Sequence, residues 1–385
     1  MRPQRFGIRD LLEKYVGKPN IFPIAVPLLE EPESMPQDSE TGRKPLKSKQ
    51  SAEPKRLASE ITNVKDKEIP VARQTSPFKY FLDGCRRTYH LCDLSTDGHI
   101  IPLIAGQFSS AIIERDNKTG NVSLYKHDRK SIVIILSGGG GLPEEDARDL
   151  VQKIEERAVS TGQKIIAHSV HLNSANIKKI EKPQDKAIAQ INMAMHDMEI
   201  EFLETMTTKK EIDADRMIVV DGPVNFRLSK HHNRAFLEYA IGVSKSFNLH
   251  LEDVVEKNKQ IGSHLLNLEK TGDRTSAFIL DGESGNYYAY WYLRIQPRQK
   301  MTHPFSGIIR VEKALTDPMD REDKQISSDT VDYISNYLLL ERHVNPYGLD
   351  FRWASHLYPI YLSERIQKEK FLSDHFFYSL LKHHG

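Results

Sequence analysis

The sequence predicts an α/β fold in which a mixed β-sheet is flanked by helices. Hairpin-like strand patterns come first along the chain, and helical and strand patterns then alternate, which is typical of a mixed sheet covered by helices. The chain has 385 residues, of which 39% are hydrophobic and 28% charged. A chain of this length and composition is expected to bury a substantial core.

The N-terminal part of the chain divides into an arm and a tether. Within the arm, residues 1–30, residues 7–17 have the periodicity of a short amphipathic helix. Residues 31–75 contain no aromatic residue and are rich in Glu, Ser, Lys, Pro and Gln. Such a segment cannot bury enough apolar surface to offset its ordering entropy, so we expect a flexible, partly disordered tether.

A main domain is predicted over residues 76–370, with a C-terminal helix over 371–385. Apolar alternation indicates strands and 3.6-residue periodicity indicates helices. The predicted elements are strands 78–94 and 99–114, two strands within 121–136, helix 143–160, strand 164–170, helix 183–207, strand 217–221, an ambiguous stretch 235–247, helix 251–269, strands 275–281, 287–296 and 307–315, and helices 328–342 and 371–384.

Two of these strand patterns stop at the same dipeptide. Phe81-Leu82 runs into Asp83-Gly84, and Val219-Val220 runs into Asp221-Gly222. Acids at the ends of neighbouring buried strands could hold a divalent cation between them, since Mg²⁺ and Mn²⁺ prefer carboxylate oxygens. Asp-Gly is also common at turns, so either dipeptide alone indicates only a turn.

The long helix between the two strands offers a third acid. Its apolar residues recur at three- and four-residue spacing and define the face that packs on the sheet: Ile188, Ile191, Met195, Met198 and Phe202. Glu199 lies about 60° from the centre of this stripe and Glu201 about 100° away. Glu199 is therefore the predicted third ligand and Glu201 the alternative, although both could be solvated surface charges.

Acids in the order strand, helix, strand are the arrangement of an RNase H-like fold. Several strands also resemble those of the NurA nuclease family: Met217 to Gly222, Ile241-Gly242-Val243-Ser244-Lys245-Ser246, Tyr290 to Arg294, and Ile309 to Glu312. The resemblance spans roughly residues 76–370 and its motifs are short. It implies an RNase H-like nuclease that cleaves DNA with Mn²⁺ or Mg²⁺, forms a homodimer and works with a hexameric HerA-type ATPase.

The resemblance also implies roles for individual residues. Asp83 and Asp221 match the metal-binding aspartates of the family, Glu199 its helix glutamate, and Lys245 a lysine that would neutralise a phosphate. These four residues are the predicted catalytic set.

The last predicted metal ligand is less well matched. The Tyr-Pro motif of the family is present at Tyr358-Pro359, but the nearby histidine, His356, precedes the motif instead of following it. Glu364 stands where the family's histidine is expected. His356 is the predicted ligand and Glu364 the alternative.

Two other functions fit the same residues. One is a non-catalytic RNase H-like scaffold that binds nucleic acid or an ATPase. This interpretation gains support if Glu199 points away from Asp83 and Asp221. The other is an RNA-directed nuclease, because the choice of DNA or RNA depends on groove shape and 2′-hydroxyl contacts. Cleavage polarity, oligomeric state, and a role in repair or in antiviral defence stay open.

The charge balance limits how the chain can bind nucleic acid. Lys and Arg number 54 against 53 Asp and Glu, so any nucleic-acid surface must be a local basic patch. A partner ATPase could supply the missing affinity, and residues 1–75 are candidate docking elements for it.

The cysteine count and the N-terminus indicate a cytoplasmic location. Cys85 and Cys92 are the two cysteines of the chain, and we expect free thiols. The N-terminus shows no signal-peptide pattern, and we expect no membrane span.

Overall fold

Thirteen strands among the described residues form one mixed sheet, and helices flank it, which confirms the predicted α/β class. The structure is a computed structural model that describes residues 6–24, 28–29, 51–66, 76–96, 98–172, 182–224, 234–245, 247, 254–256, 259–281, 286–343 and 354–380. None of the helices in these ranges is long and apolar enough to cross a membrane.

The elements have the following bounds. The strands are β1 Ile21–Pro23, β2 Leu28–Leu29, β3 Ile61–Asn63, β4 Phe78–Thr96, β5 His99–Arg115, β6 Val122–Ser137, β7 Ile165–His171, β8 Met217–Asp221, β9 Ala240–Ser244, β10 Val254–Glu256, β11 Lys259–Gln260, β12 Asp273–Thr275, β13 Phe278–Asp281, β14 Tyr287–Arg294 and β15 Ile308–Ala314. The helices are α1 Arg9–Val16, α2 Glu144–Ser160, α3 Pro183–Thr208, α4 Ile261–Leu265, α5 Pro318–Asp323, α6 Ser328–Glu341, α7 Tyr358–Lys370 and α8 Asp374–Ser379.

The centre of the sheet is β4. On one side β4, β5 and β6 form an antiparallel meander of long strands. On the other side β8 pairs with β4 in parallel, and β9 pairs with β8 in parallel. The sheet continues through β15, β14, β12 and β3 beyond β9, and through β7 beyond β6.

Alternate residues of the central strands face two separate cores, as strand geometry requires. Leu82 and Val220 belong to a cluster that contains Ile191 and Met198 of α3, and we call this side the α3 face. On the opposite side, which we call the α7 face, Phe81 and Val219 belong to a cluster that contains Ile360 of α7. Each central strand therefore presents every second side chain to α7.

Residues 51–66 depart from the flexible tether predicted over 31–75. Ala52 and Val64 are buried, and β3 pairs with β12 at the edge of the sheet. Glu53 is buried in an ion pair with Arg274, which anchors the segment although its composition is polar. The rest of the predicted tether, residues 31–50 and 67–75, lies outside the described residues.

The two ends of the described chain pack on the main body. Leu11 and Leu12 of α1 are buried, and the amide of Ile8 donates to the carbonyl of Leu380 at 2.8 Å. The predicted helix over 251–269 is mostly wrong: among its described residues only Ile261–Leu265 is helical, the short strands β10 and β11 precede it, and residues 266–269 form a turn and irregular structure. The β-branched pair Val254-Val255 favours a strand at that point.

Candidate active site

Register places the two predicted aspartates side by side. Leu82 of β4 is paired with Val220 of β8 in a parallel ladder, so Asp83 and Asp221 follow on adjacent strands about 4.8 Å apart. Strand β8 ends at Asp221, whereas β4 continues to Thr96. Asp83 is therefore inside a long strand, in agreement with the strand predicted over 78–94 and not at the strand end that its Asp-Gly dipeptide suggested, and it is 4% exposed.

Helix α7 fixes the carboxylate of Asp83 on the α7 face. The Gln367 amide nitrogen lies 3.1 Å from the Asp83 carbonyl oxygen and 3.3 Å from Asp83 Oδ2. The amide oxygen of Gln367 accepts a hydrogen bond of 2.7 Å from the Ser109 hydroxyl. The Cys85 thiol, on the same face, lies 3.8 Å from Asp83 Oδ2. Both thiols of the chain, Cys85 and Cys92, are free and buried.

Two ammonium groups accompany the acids on this face. Lys245 Nζ lies 2.8 Å from Asp221 Oδ2, and each side chain is about one-fifth exposed, at 21% and 22%. Glu364 of α7 pairs with Lys368 Nζ at 2.6 Å. Its charge acts on Asp83, Cys85 and Lys245, so Glu364 belongs to the same electrostatic group.

The group carries more negative than positive charge at its centre. Burial, and then the neighbouring Asp221 carboxylate, raise the pKa of Asp83 well above its usual range, while Lys245 opposes this. Burial alone would lower the pKa of Lys245, but Asp221 and Asp83 outweigh it and the pKa of Lys245 is raised. Lys245 therefore stays protonated, and Asp83 lacks a full counter-charge.

Glu199 of helix α3 lies against Gly84, the residue that follows Asp83 in β4. It therefore contacts the sheet on the α3 face. A Cβ atom added to Gly84 would stand 2.6 Å from Glu199 Oε1, so the missing side chain of Gly84 is what admits this carboxylate. Glu199 Oε2 is 2.8 Å from His196 Nδ1 and the residue is 2% exposed. Burial raises the pKa of Glu199, the contact with His196 opposes the rise, and the Asp221 carboxylate adds to it. The charge of Glu199 also raises the pKa of Asp83, so Glu199 interacts electrostatically with the acids across the sheet.

The remaining predicted ligands lie in different surroundings. Glu201 is exposed on α3. His356 is fully buried, with its ring 6.0 Å from the ring of Tyr361 and its carbonyl bonded to the amide of His343. Of the two alternatives for the last ligand, Glu364 is the one whose charge acts on Asp83.

The donor set suits a hard divalent cation. Asp83, Asp221 and Glu364 supply carboxylate oxygens on one face, where a cation would offset the excess negative charge. Across the described ranges, no three His, Cys, Asp or Glu side chains are already spaced to hold a metal. Lys245 is paired with Asp221 and Lys368 with Glu364. Glu199 lies on the opposite face of β4 from the Asp83 side chain.

Sequence reasoning missed helix α7 and its two buried polar residues, Ser363 and Gln367. The signal was present, because Tyr358-Pro359 places proline in the first turn of a helix, where it is favoured. Ser363 and Gln367 are four residues apart on the face that carries the buried Ile360, so polar groups point into the sheet there.

Comparison with family models and with curated proteins finds no match for this chain. The function therefore has to be argued from the geometry of the acids and of their neighbours.

Proposed function

We propose that this chain is a metal-dependent deoxyribonuclease that hydrolyses phosphodiester bonds, with an RNase H-like arrangement of its acids and Mn²⁺ or Mg²⁺ as cofactor. One observation carries the proposal: the register sets Asp83 beside Asp221, and α7 and β9 add Glu364 and Lys245 to the same electrostatic group. Perturbed carboxylates that converge with a fixed cation are typical of a catalytic site.

Asp83, Asp221 and Glu364 are the residues that would hold the metal. When bound, the metal supplies a water of lowered pKa and stabilises the charge that develops on the phosphate. Lys245 keeps its proton, so its ammonium can neutralise a phosphate oxygen next to the scissile bond.

Gln367 and Ser109 orient the catalytic carboxylate. The amide of Gln367 donates to Oδ2 of Asp83, and the Ser109 hydroxyl holds that amide in place. Donation to a carboxylate favours its charged form, which the ligand role requires. Because Asp83 is buried inside β4, its position is fixed before substrate arrives.

A HerA-type ATPase ring and a second copy of the chain are the partners in this proposal. A net charge of +1 gives the chain little affinity for DNA as a whole, and a ring that threads DNA would remove that limit. Helix α1 and residues 51–66 pack on the main body, so they would offer a partner a folded surface.

A non-catalytic nucleic-acid-binding or ATPase-binding scaffold is the second candidate function. Glu199 lies on the face opposite Asp83, and its carboxylate is engaged by His196. If Glu199 is essential for metal binding, this placement favours the scaffold. RNA cleavage by the same acids is a variant of the first proposal. An assay with both DNA and RNA substrates distinguishes the two.

The test is cleavage of linear DNA and of RNA with Mn²⁺ by purified Asp83→Asn and Asp221→Asn. We expect a loss of more than ~10³-fold in each variant, about 4 kcal/mol of transition-state stabilisation. Asp281→Asn is the matched control, because Asp281 also ends a strand before glycine but is exposed outside the site. Unchanged cleavage in both site variants would refute the nuclease, and a wild type that binds DNA without cleaving it supports the scaffold.

The third acid is identified by a second pair of variants. Glu364→Gln is expected to lose most activity, because its carboxylate shares the α7 face with the aspartates. Glu199→Gln is expected to retain more activity than Glu364→Gln, with exposed Glu201→Gln as the helix control. A greater loss of activity in Glu199→Gln than in Glu364→Gln would identify Glu199 as the third metal ligand.

A further inference from the structure

A cross-strand row connects the acid pair to the far side of α7. Asp83 is paired with Ala111 of β5, and Ala111 is paired with His127 of β6. In the next row Ser109 pairs with Arg129. His127 and Arg129 therefore lie on the α7 face, two strand spacings or about 10 Å from β4.

Positive charge collects at this end of the row. Arg129 Nη1 donates to the carbonyl of Lys370 at 2.6 Å, and Lys370 is exposed at the end of α7. Lys164 does not belong to this group, because it pairs at 3.3 Å with Asp128, which lies between His127 and Arg129 in β6 and points to the α3 face. We call His127, Arg129 and Lys370 the basic strip.

The pKa of His127 responds to the charges of the basic strip. Burial, and then the Lys370 ammonium, lower the pKa of His127; the Asp128 carboxylate opposes them, and Arg129 adds to the lowering. Its Nε2 atom is buried and makes no hydrogen bond to the described residues. The strip therefore has a local positive potential, which the chain as a whole, with a net charge of +1, lacks.

Helix α7 separates the basic strip from the acids. It covers β5, with Ser363 Oγ 3.4 Å from the carbonyl oxygen of Ala111 and Gln367 bonded to Ser109. A ligand that touches both the strip and Asp83 must pass over α7 and enter a buried site. A flexible single strand can do so, whereas a duplex with a persistence length of about 150 base pairs cannot bend over one helix.

We infer that the basic strip binds the phosphate backbone of a single nucleic-acid strand, a few nucleotides from the phosphate that reaches Asp83 and Asp221. This inference rests on the proposed nuclease function, since the acids define where the strand leads. At about 3.4 Å per nucleotide, a straight 10 Å offset corresponds to roughly three nucleotides, and the path over α7 adds to that number.

The experiment measures binding without cleavage. The full chain is titrated into fluorescein-labelled oligothymidine in EDTA, and anisotropy gives Kd over a range of salt concentrations. The test variant is the double change Arg129→Gln and Lys370→Gln. Arg148→Gln is the matched control, because Arg148 is an arginine 75% exposed in a surface ion pair but lies on the first turns of α2, away from the strip.

The salt dependence of Kd counts the phosphates that the strip neutralises. Removal of one cation that neutralises a phosphate of a single strand lowers the slope of log K against log salt by about 0.7, or roughly fivefold in affinity at 0.1 M salt. We expect the double variant to bind about 25-fold more weakly, with a slope shallower by about 1.4, and the control to match wild type. An unchanged Kd and slope in the double variant would contradict the role of the strip, as would a wild type that binds no oligothymidine.

Cleavage distinguishes failure of the strip from failure of the nuclease. Normal binding of oligothymidine by the wild type together with no cleavage in Mn²⁺ contradicts only the nuclease. Cleavage that is abolished in Asp83→Asn but is insensitive to the double change contradicts only the role of the strip. Circular dichroism of each variant confirms that the comparison is made between folded proteins.

Discussion

Two groups of buried charges in this molecule differ in how they are balanced. In the Arg274 cluster, Arg274 and Arg56 face Glu53, Asp332 and the more exposed Glu60, and each acid is in an ion pair. In the acid site, Lys245 pairs with Asp221 and Lys368 with Glu364. The buried Asp83 carboxylate instead contacts the uncharged Gln367 amide and Cys85 thiol, so within the described residues it is the acid without an ion pair.

Hydrogen bonds make the same distinction. Arg274 donates to Glu53 at 2.7 and 2.9 Å and to Asp332 at 2.6 Å, with the guanidinium fully buried. Burial works to raise the pKa of Glu53, but Arg274 outweighs it and the pKa falls to about 2. The pKa of Asp83 moves the other way, because burial and Asp221 exceed what Lys245 offsets.

The difference separates a structural site from a candidate functional one. A buried ion pair with every donor matched holds residues 51–66 on the sheet. A buried carboxylate group without matched charge costs stability, and such costs are typical of sites that bind a cation or a substrate.

The largest expected effect comes from the balanced cluster. Arg274→Ala removes the bidentate partner of the buried Glu53, which keeps Arg56, and also the partner of Asp332, so the free energy of unfolding should fall by about 3–5 kcal/mol. Urea unfolding measures it, with Arg148→Ala as an exposed ion-pair control that should cost no more than about 1 kcal/mol. If the free energy of unfolding falls by less than about 1 kcal/mol in Arg274→Ala, Arg274 does not have the structural role assigned to it.

Acid should weaken the same cluster. The pKa of Glu53 falls from 4.5 to about 2 on folding, so its contribution is complete above pH 4.5 and is lost as pH falls toward 2. The stability gap between wild type and Glu53→Gln should narrow by about 3 kcal/mol over that interval. A gap that stays constant between these two pH values contradicts the ion pair.

The smallest expected effect has the opposite sign. Asp83→Asn removes an uncompensated buried charge, and the raised pKa of Asp83 means that its ionised form costs stability at neutral pH. In EDTA the variant should therefore be more stable than wild type, by about 1 kcal/mol. Thermal unfolding measures the change, and a variant less stable than wild type would show that the site is balanced after all.

Much of the central sheet was predictable, because apolar alternation is a local property of strands. The strand over 217–221 was predicted with the bounds of β8, and the helix over 183–207 matches α3 to within one residue. Helix α7 was not predicted, since its buried face carries Ser363 and Gln367 in place of apolar residues.

The candidate site was only partly predictable, for a physical reason. The sequence identified Asp83 and Asp221, but Gly84 was expected to release the strand into a turn, and it instead makes room for Glu199. Gly222, with φ of 112°, does end its strand. Whether a glycine allows a turn or a close approach depends on which helix packs over it, and local sequence does not contain that information.

Calorimetric titration of Mn²⁺ into the purified full chain tests the central claim most directly. The account predicts saturable binding by the wild type and by Asp281→Asn, and its loss in Asp83→Asn and Asp221→Asn. Absence of binding in the wild type, or equal binding in all four proteins, would contradict the assignment of these acids to a metal site.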